Sequence, residues 1–533
     1  MKQAIKITAL IFALVLVCMP FTAGKAEAQL EITAARLAEV QTFDPNMISE
    51  SNDVVVGEVM QEGLYKANST GGYDLGMAES VDVSEDGLTY TYHIRDSKWS
   101  NGEPITAYDF EYSFKRLANP ATGAEDAWMF EMTGIKNANA VVYEGADPDT
   151  LGVKALDDKT LEITLEYPVS FLASLLRFPT FAPVNQKFCE EKGDQFGLSV
   201  ENSISSGAFK LSEWEPGSGE CVLVKNEYYY DADNVKVDKL TFKVVKDIQT
   251  AVMGFEKGDI DTASISGEYY QLYADTDKIN SFQVATLRYI SCNLMNEDLA
   301  NQNMRLALAY GINKNSICDD VLQNGSVPAN YVVPDGNFAV DEEGKNFRDW
   351  ANATYLEYDL AKAQDYYEKA KAELGKDSFT FRFLYDDTSE CKELAQFIKS
   401  DIESNFPGIT IELNAQPKKS RVALMKAGDY DLGFPTWGAD YQDATTFLDL
   451  WKTGNGNNFG KWSSEAYDKA MEAEFSPDKA TRMAGLVEAE RVLCEEVPIL
   501  PTYQSSAAYL VNPELNIPIS PSDDLVFRLA DRK

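Results

Sequence analysis

The stretch Gly433 to Leu450, GFPTWGADYQDATTFLDL, concentrates the residues best suited to hold a ligand. Within it Trp437 and Tyr441 bracket Asp440. A carboxylate between aromatic walls can pair with a ligand ammonium while the rings shield that pair from water and stack on ligand side chains. Charge-assisted hydrogen bonds of this kind contribute roughly 1.5–3 kcal/mol each. The same spacing also suits an aromatic core with a capping aspartate, and spacing alone leaves both readings open.

Catalytic chemistry finds little to work with. His93 is the single histidine, so a Ser-His-Asp triad would have to be built around it, and HExxH or multi-histidine metal sites are impossible. It sits in a strand-like alternation, where a structural role is the simpler reading. No GxxxxGK[ST] loop is present for nucleotide hydrolysis. The 85 Asp and Glu residues leave a carboxylate-dependent, glycosidase-type hydrolase as the enzymatic alternative, yet nothing in the sequence singles out one pair. The expectation is a binding protein with no catalytic residue, cofactor or metal.

The elements that must position Asp440 belong to a 533-residue chain, long enough for two or three lobes. Leu88 to Ile94 and Thr160 to Leu165 alternate apolar and polar residues and read as strands. Ala107 to Leu117, Met304 to Ile312, Tyr358 to Leu374 and Thr481 to Glu495 carry helical spacing, with Asp359 placed to cap the third. Strands alternating with helices indicate an α/β architecture. Turns are expected at Asn101-Gly102, Pro334-Asp335-Gly336 and Gly454 to Asn457.

A formal charge of −37 argues against nucleic acid or an anionic membrane surface as partner, since either would repel the chain at long range. Lys2 and Lys6, the apolar run Ala9 to Cys18 and the small-x-small site Ala26-Glu27-Ala28 read as a signal peptide over residues 1–28. The protein is therefore expected outside the cytoplasm, periplasmic or at the outer face of the cytoplasmic membrane. Cys18 offers a rival lipid anchor, but Val17 precedes it where a lipoprotein signal carries a small residue. The other six cysteines, Cys189, Cys221, Cys292, Cys318, Cys391 and Cys494, fit no zinc pattern. Disulfides and buried thiols both remain open readings.

Several segments share a resemblance. Thr42-Phe43-Asp44-Pro45 followed by Gln61-Glu62-Gly63-Leu64-Tyr65, the block Ser84 to Arg116 with its core Lys98-Trp99-Ser100-Asn101-Gly102, Gly152 to Asp158, Met304 to Ile312 and Trp437 to Leu450 together resemble the oligopeptide-binding, family 5 solute receptors of ABC importers. The resemblance implies a periplasmic-binding-protein-like two-lobe fold (type II, cluster C) with an extra domain inserted in the first lobe. By analogy lobe I comprises residues 29–64, 188–288 and 505–533, the extra domain 65–187 and lobe II 289–504. The expected function is capture of oligopeptides by a monomer between two closing lobes and delivery to ABC transporter membrane subunits.

In peptide-binding members of that family the aspartate of a W-x-x-D-Y motif receives the ligand's α-ammonium. The motif stands here as Trp437 to Tyr441, so the resemblance assigns that role to Asp440. Thr436 and Gly438 would offer backbone groups to an extended peptide, and Ser49, Ser51, Asn457 and Asn458 would line the cleft. Cations that some members present to the ligand's C-terminal carboxylate are replaced by Asp298, Cys391 and Phe434. Capture of that carboxylate by Lys418 or Arg421, longer peptides, or a nickel chelate, haem or glycoside ligand stay open, as does a sensing or adhesion role. With His93 as the single histidine, direct metal or haem ligation is disfavoured.

Overall fold

The structure is a computed structural model that describes residues 29–68, 72–336, 338–340, 345–476, 478–519 and 525–533. The signal-peptide reading and Cys18 lie outside these residues, as does the side chain of Ser51.

Two long antiparallel strands, Ile279–Cys292 and Ile499–Val511, run side by side through the middle of one large sheet. Their inner and outer halves belong to different neighbourhoods. At one end Ile499–Val511 pairs with Thr262–Ile265, beyond which lie Glu31–Arg36, Lys239–Val244, Glu220–Lys225 and Phe209–Trp214. At the other end Ile279–Cys292 pairs with Leu432–Gly433, which leads to the parallel strands Phe379–Asp386 and Ile409–Gln416. Between the two ends the ladder breaks: Gln283 pairs with Ser506 but Leu287 with Gln504. A bulge of this kind bends and twists a strand pair locally.

Burial follows the same division. One hydrophobic cluster gathers Leu30 to Phe242 and the C-terminal residues Val511 to Ala530, while a second gathers Ala285 to Tyr503. The mixed α/β architecture, with two lobes joined by crossing strands, is the two-lobe binding-protein fold expected from the sequence.

In the second lobe strands and helices alternate as the apolar spacing requires. Phe379–Asp386, the helix Ser389–Asn405 and Ile409–Gln416 form one βαβ unit. The helix Leu360–Leu374 starts where Asp359 accepts a hydrogen bond from the Lys362 amide, the cap expected from the sequence.

A four-stranded antiparallel sheet, in the order Ala78–Val83, Thr89–Ile94, Thr160–Thr164, Val153–Asp157, is covered by the helix Ala107–Ala118. Phe110, Phe114 and Leu117 of that helix are wholly buried. Its core is continuous with the first lobe, and polar contacts reinforce the join. Arg116 donates to both carboxylate oxygens of Asp44, at 2.8 and 2.6 Å, and Asn46 Nδ2 donates to Ser113 Oγ at 3.0 Å. The conspicuous Lys98 to Phe110 block is structural: Trp99 is 1% exposed, and Thr106 and Asp109 form a capping box. His93 lies on its strand with Nε2 2.9 Å from the exposed Asp82.

Candidate functional site

Just past Leu432–Gly433 the chain turns at Pro435 and forms the short strand Thr436–Gly438. Among the described residues this strand pairs with one neighbour, Ile279–Cys292, in the register Thr286↔Gly438, Leu287↔Trp437, Arg288↔Thr436. Ala439 N donates to Ala285 O at 2.9 Å and Tyr289 N to Pro435 O at 3.3 Å. In an antiparallel ladder, residues alternate between facing the partner and facing away. Pro435, Trp437 and Ala439 therefore face the crossing strand, and the backbone groups of Thr436 and Gly438 face the open edge. That edge is a template for an added strand.

Asp440 follows directly. Its amide donates to Thr446 Oγ1 at 3.1 Å, which fixes the backbone, while the side chain is exposed. The protein around it nonetheless partly desolvates the carboxyl and pushes its pKa up, and no neighbouring cation offsets that shift. Among the described residues, then, the carboxylate has no ionic partner of its own. Trp437 packs partly against the second lobe's core, with its indole Nε1 buried and without an acceptor.

Tyr441 takes a different position from that of a free aromatic wall. It is 8% exposed, and its ring stacks on Phe171, centroids 4.1 Å apart with 14° between planes. Its hydroxyl accepts from Thr445 Oγ1 at 3.2 Å. Beside this stack lies a cavity of about 570 Å³ between the segment 167–171 and the second lobe, lined by Tyr167, Lys452, Glu474 and Phe475 among others. Lys452 Nζ lies 2.6 Å from Glu474 and 2.7 Å from Asp449. Burial, and then the adjacent Asp449, raise Glu474 to about 7.

The remaining cleft candidates divide. Ser49 is half-buried between the turn Pro45–Met47 and the helix Ser51–Met60. Thr436 Oγ1 donates to Leu287 O at 3.3 Å. Asn457 is half-buried in a turn whose amide donates to Asn455 Oδ1 at 2.8 Å. Asn458 departs from the expectation of a cleft side chain. It is 2% exposed, and its amide donates to Trp462 O at 2.8 Å while its oxygen accepts from Trp462 N at 3.2 Å. Its carboxamide plugs the turn and has none of these groups to spare for a ligand.

The two cations considered for a ligand carboxylate also differ. Lys418 is exposed at a helix start, whereas Arg421 is 3% exposed and held by Asp386, Nε to Oδ1 3.0 Å. Arg288, which no sequence pattern singled out, lies opposite Thr436 with its side chain 12% exposed. The register of a bulged strand is what brings it there, and that register cannot be read from spacing.

The described cysteines are all buried as free thiols. Among the described residues no cluster of three or more His, Cys, Asp or Glu residues is arranged to hold a metal ion, and no helix is long and apolar enough to cross a membrane.

Residues 73–459 match the family described as bacterial extracellular solute-binding proteins, family 5 Middle. The chain is 31% identical to a dipeptide-binding protein of Lactococcus lactis over 97% of this chain and 96% of that one. Among solved structures it resembles Listeria monocytogenes OppA bound to peptide, with 33% identity, a TM-score of 0.69, and coverage of 95% of this chain and 99% of that one. It also resembles the periplasmic murein tripeptide-binding protein MppA in its unliganded open form, with 28% identity, a TM-score of 0.84, and coverage of 95% and 97%.

Proposed function

Since this chain belongs to the family 5 extracellular solute-binding proteins, we propose that it captures oligopeptides between its two lobes and hands them to the membrane subunits of an ABC importer. The observation that carries this reading is the open edge of Thr436–Gly438 leading into an unpaired Asp440. An extended peptide would add a strand to that edge, its amide groups meeting Thr436 and Gly438, with its α-ammonium delivered to Asp440. Backbone recognition leaves side chains free to vary. Trp437 would flank the ammonium, and Ser49, Ser51 and Asn457 would stand around the cleft.

Closure follows from the same architecture. The protein would pivot at the bulge where Gln283 and Leu287 change register against Ser506 and Gln504. The expected lobes, residues 29–64, 188–288 and 505–533 against 289–504, meet at that bulge, and the extra domain 65–187 would move with the first. Ligand would favour the closed state because both lobes touch it only there. The higher TM-score against an unliganded open form than against a peptide-bound relative supports an open resting state. The protein acts as an exported monomer without catalysis of its own, and energy for transport comes from ATP hydrolysed by other chains.

Native mass spectrometry of protein purified from cells, followed by release and sequencing of what is bound, tests this reading. A mixture of peptides with free amino termini is the expected result. A single non-peptide species would leave the fold in place and overturn the ligand.

A further inference from the structure

We infer that the cavity beside the Phe171–Tyr441 stack is a second ligand site, built for a small organic cation: a protonated amine or guanidinium on an apolar body. Its volume of about 570 Å³ lies within the span of small-molecule sites, about 300–1,000 Å³. Residues 131–132 and 167–171 form one wall, and residues of the second lobe form the other. Asp440 lies outside the lining, although Tyr441 beside it belongs to it. The site is thus distinct from the open edge of Thr436–Gly438 and does not depend on what that edge binds.

Aromatic rings stand on both walls. Tyr167 meets Phe475 edge-on from the opposite side, with centroids 5.9 Å apart and planes 79° from parallel. Phe475 is 52% exposed and Tyr167 38%, so ring surface remains free to meet a ligand. Phe171 and Tyr441 add a second pair, joined by their stack, and Met132 and Val169 add aliphatic surface. Rings arranged in this way attract a cation through their quadrupoles, while the aliphatic surface takes an apolar body.

Charge selects the sign of the ligand. Glu131 belongs to the first wall, and Asp449 and Glu474 belong to the second together with Lys452 and Arg482. Both of these cations are already committed. Lys452 Nζ lies 2.6 Å from Glu474 and 2.7 Å from Asp449. Arg482 Nη2 donates to Asp443 at 2.8 Å and its Nε to the Glu474 carbonyl at 2.9 Å. Asp449 and Glu474 therefore share one ammonium. Asp449 Oδ1 is buried and, among the described residues, accepts no hydrogen bond beyond its ionic contact with Lys452. Burial and then the adjacent Asp449 lift Glu474 to about 7, the response of a carboxyl that lacks a full counter-charge. An anion would add to this excess of negative charge, whereas a cation offsets it.

Ligand-observed NMR titrations with 2-phenylethylammonium, 2-phenylethanol and phenylacetate test this, since the three share one aromatic body and differ in charge. They are run on the Asp440→Asn protein, in which the proposed amine site of the cleft is removed and the cavity is left to hold the cation. The ammonium should bind saturably and roughly tenfold tighter than the alcohol, and the carboxylate should not bind. Phe475→Ala, added to that protein, should weaken the ammonium roughly tenfold, while Phe475→Tyr, which keeps the ring, should retain it. Phe475 is half-exposed, so an unchanged Tm accompanies the truncation. Absence of saturable binding, equal binding of ammonium and alcohol, or an affinity indifferent to Phe475→Ala each overturns the site. None of these results touches the peptide reading, which release and sequencing of the bound ligand decides.

Discussion

The ring of Phe171 stacks on that of Tyr441, with centroids 4.1 Å apart and planes 14° from parallel. A residue adjacent to Asp440 is thus held by a segment far earlier in the chain, and the two large bodies touch beside the site. Stacked aromatic pairs contribute about 0.5–1.5 kcal/mol beyond the area they bury. Phe171→Leu keeps most of that area and should lower stability by about this amount, measured as a shift of the urea midpoint at constant slope.

Asp440 has a pKa raised by partial desolvation in the free protein, and a bound ammonium would bring it back down. Binding therefore requires the ionised carboxylate and should weaken as pH falls through the raised pKa, releasing a proton on association in that window. Calorimetry in buffers of different ionisation enthalpy reads that proton directly. For stability the sign is opposite. A carboxyl raised in the folded state favours folding most while neutral and loses that advantage as pH rises through its folded pKa. Asp440→Asn should leave the ligand-free Tm at pH 7 no lower than that of the wild type while removing peptide binding.

Glu474 carries the same logic further from the ligand. Burial and the neighbouring Asp449 raise it to about 7, so its contribution to folding is complete below the ordinary carboxylate range and lost as pH rises through about 7. Thermal unfolding of the wild-type protein should drop by a few degrees between pH 5 and pH 8. Glu474→Gln should flatten that part of the profile.

The six cysteines Cys189, Cys221, Cys292, Cys318, Cys391 and Cys494 are buried free thiols, and burial pushes Cys221, Cys292 and Cys318 up to about 12. Neutral, inaccessible thiols react slowly. A thiol reagent should label none of them in the native protein and all six after denaturation.

Much of this architecture was legible from local pattern. The helix beginning after Asp359 and the strands Thr89–Ile94 and Thr160–Thr164 follow from periodicity and a cap, because each is decided by neighbours in sequence. The crossing strand Ile279–Cys292 was not, since INSFQVATLRYISC mixes polar and apolar residues without clean alternation. It serves two bodies and changes register midway. The role of Asp44 in holding Arg116 across 72 positions is hidden for the same reason. At the site, the Trp437 to Tyr441 motif located the carboxylate, but motif spacing could not separate Asp440, which is exposed, from Tyr441, which packs on Phe171. Nor could it separate Asn457 from Asn458, whose amide is consumed by Trp462.

The central claim is that Asp440 receives a ligand ammonium, and calorimetric titration of one peptide with and without an N-terminal acetyl group tests it most directly. The free amine should bind to the wild-type protein, while acetylation or Asp440→Ala should each cost roughly 3–5 kcal/mol, a loss of about two to three and a half orders of magnitude. The two changes together should cost little more than either alone. Equal affinity for the acetylated peptide, or unchanged affinity in Asp440→Ala, would contradict the account.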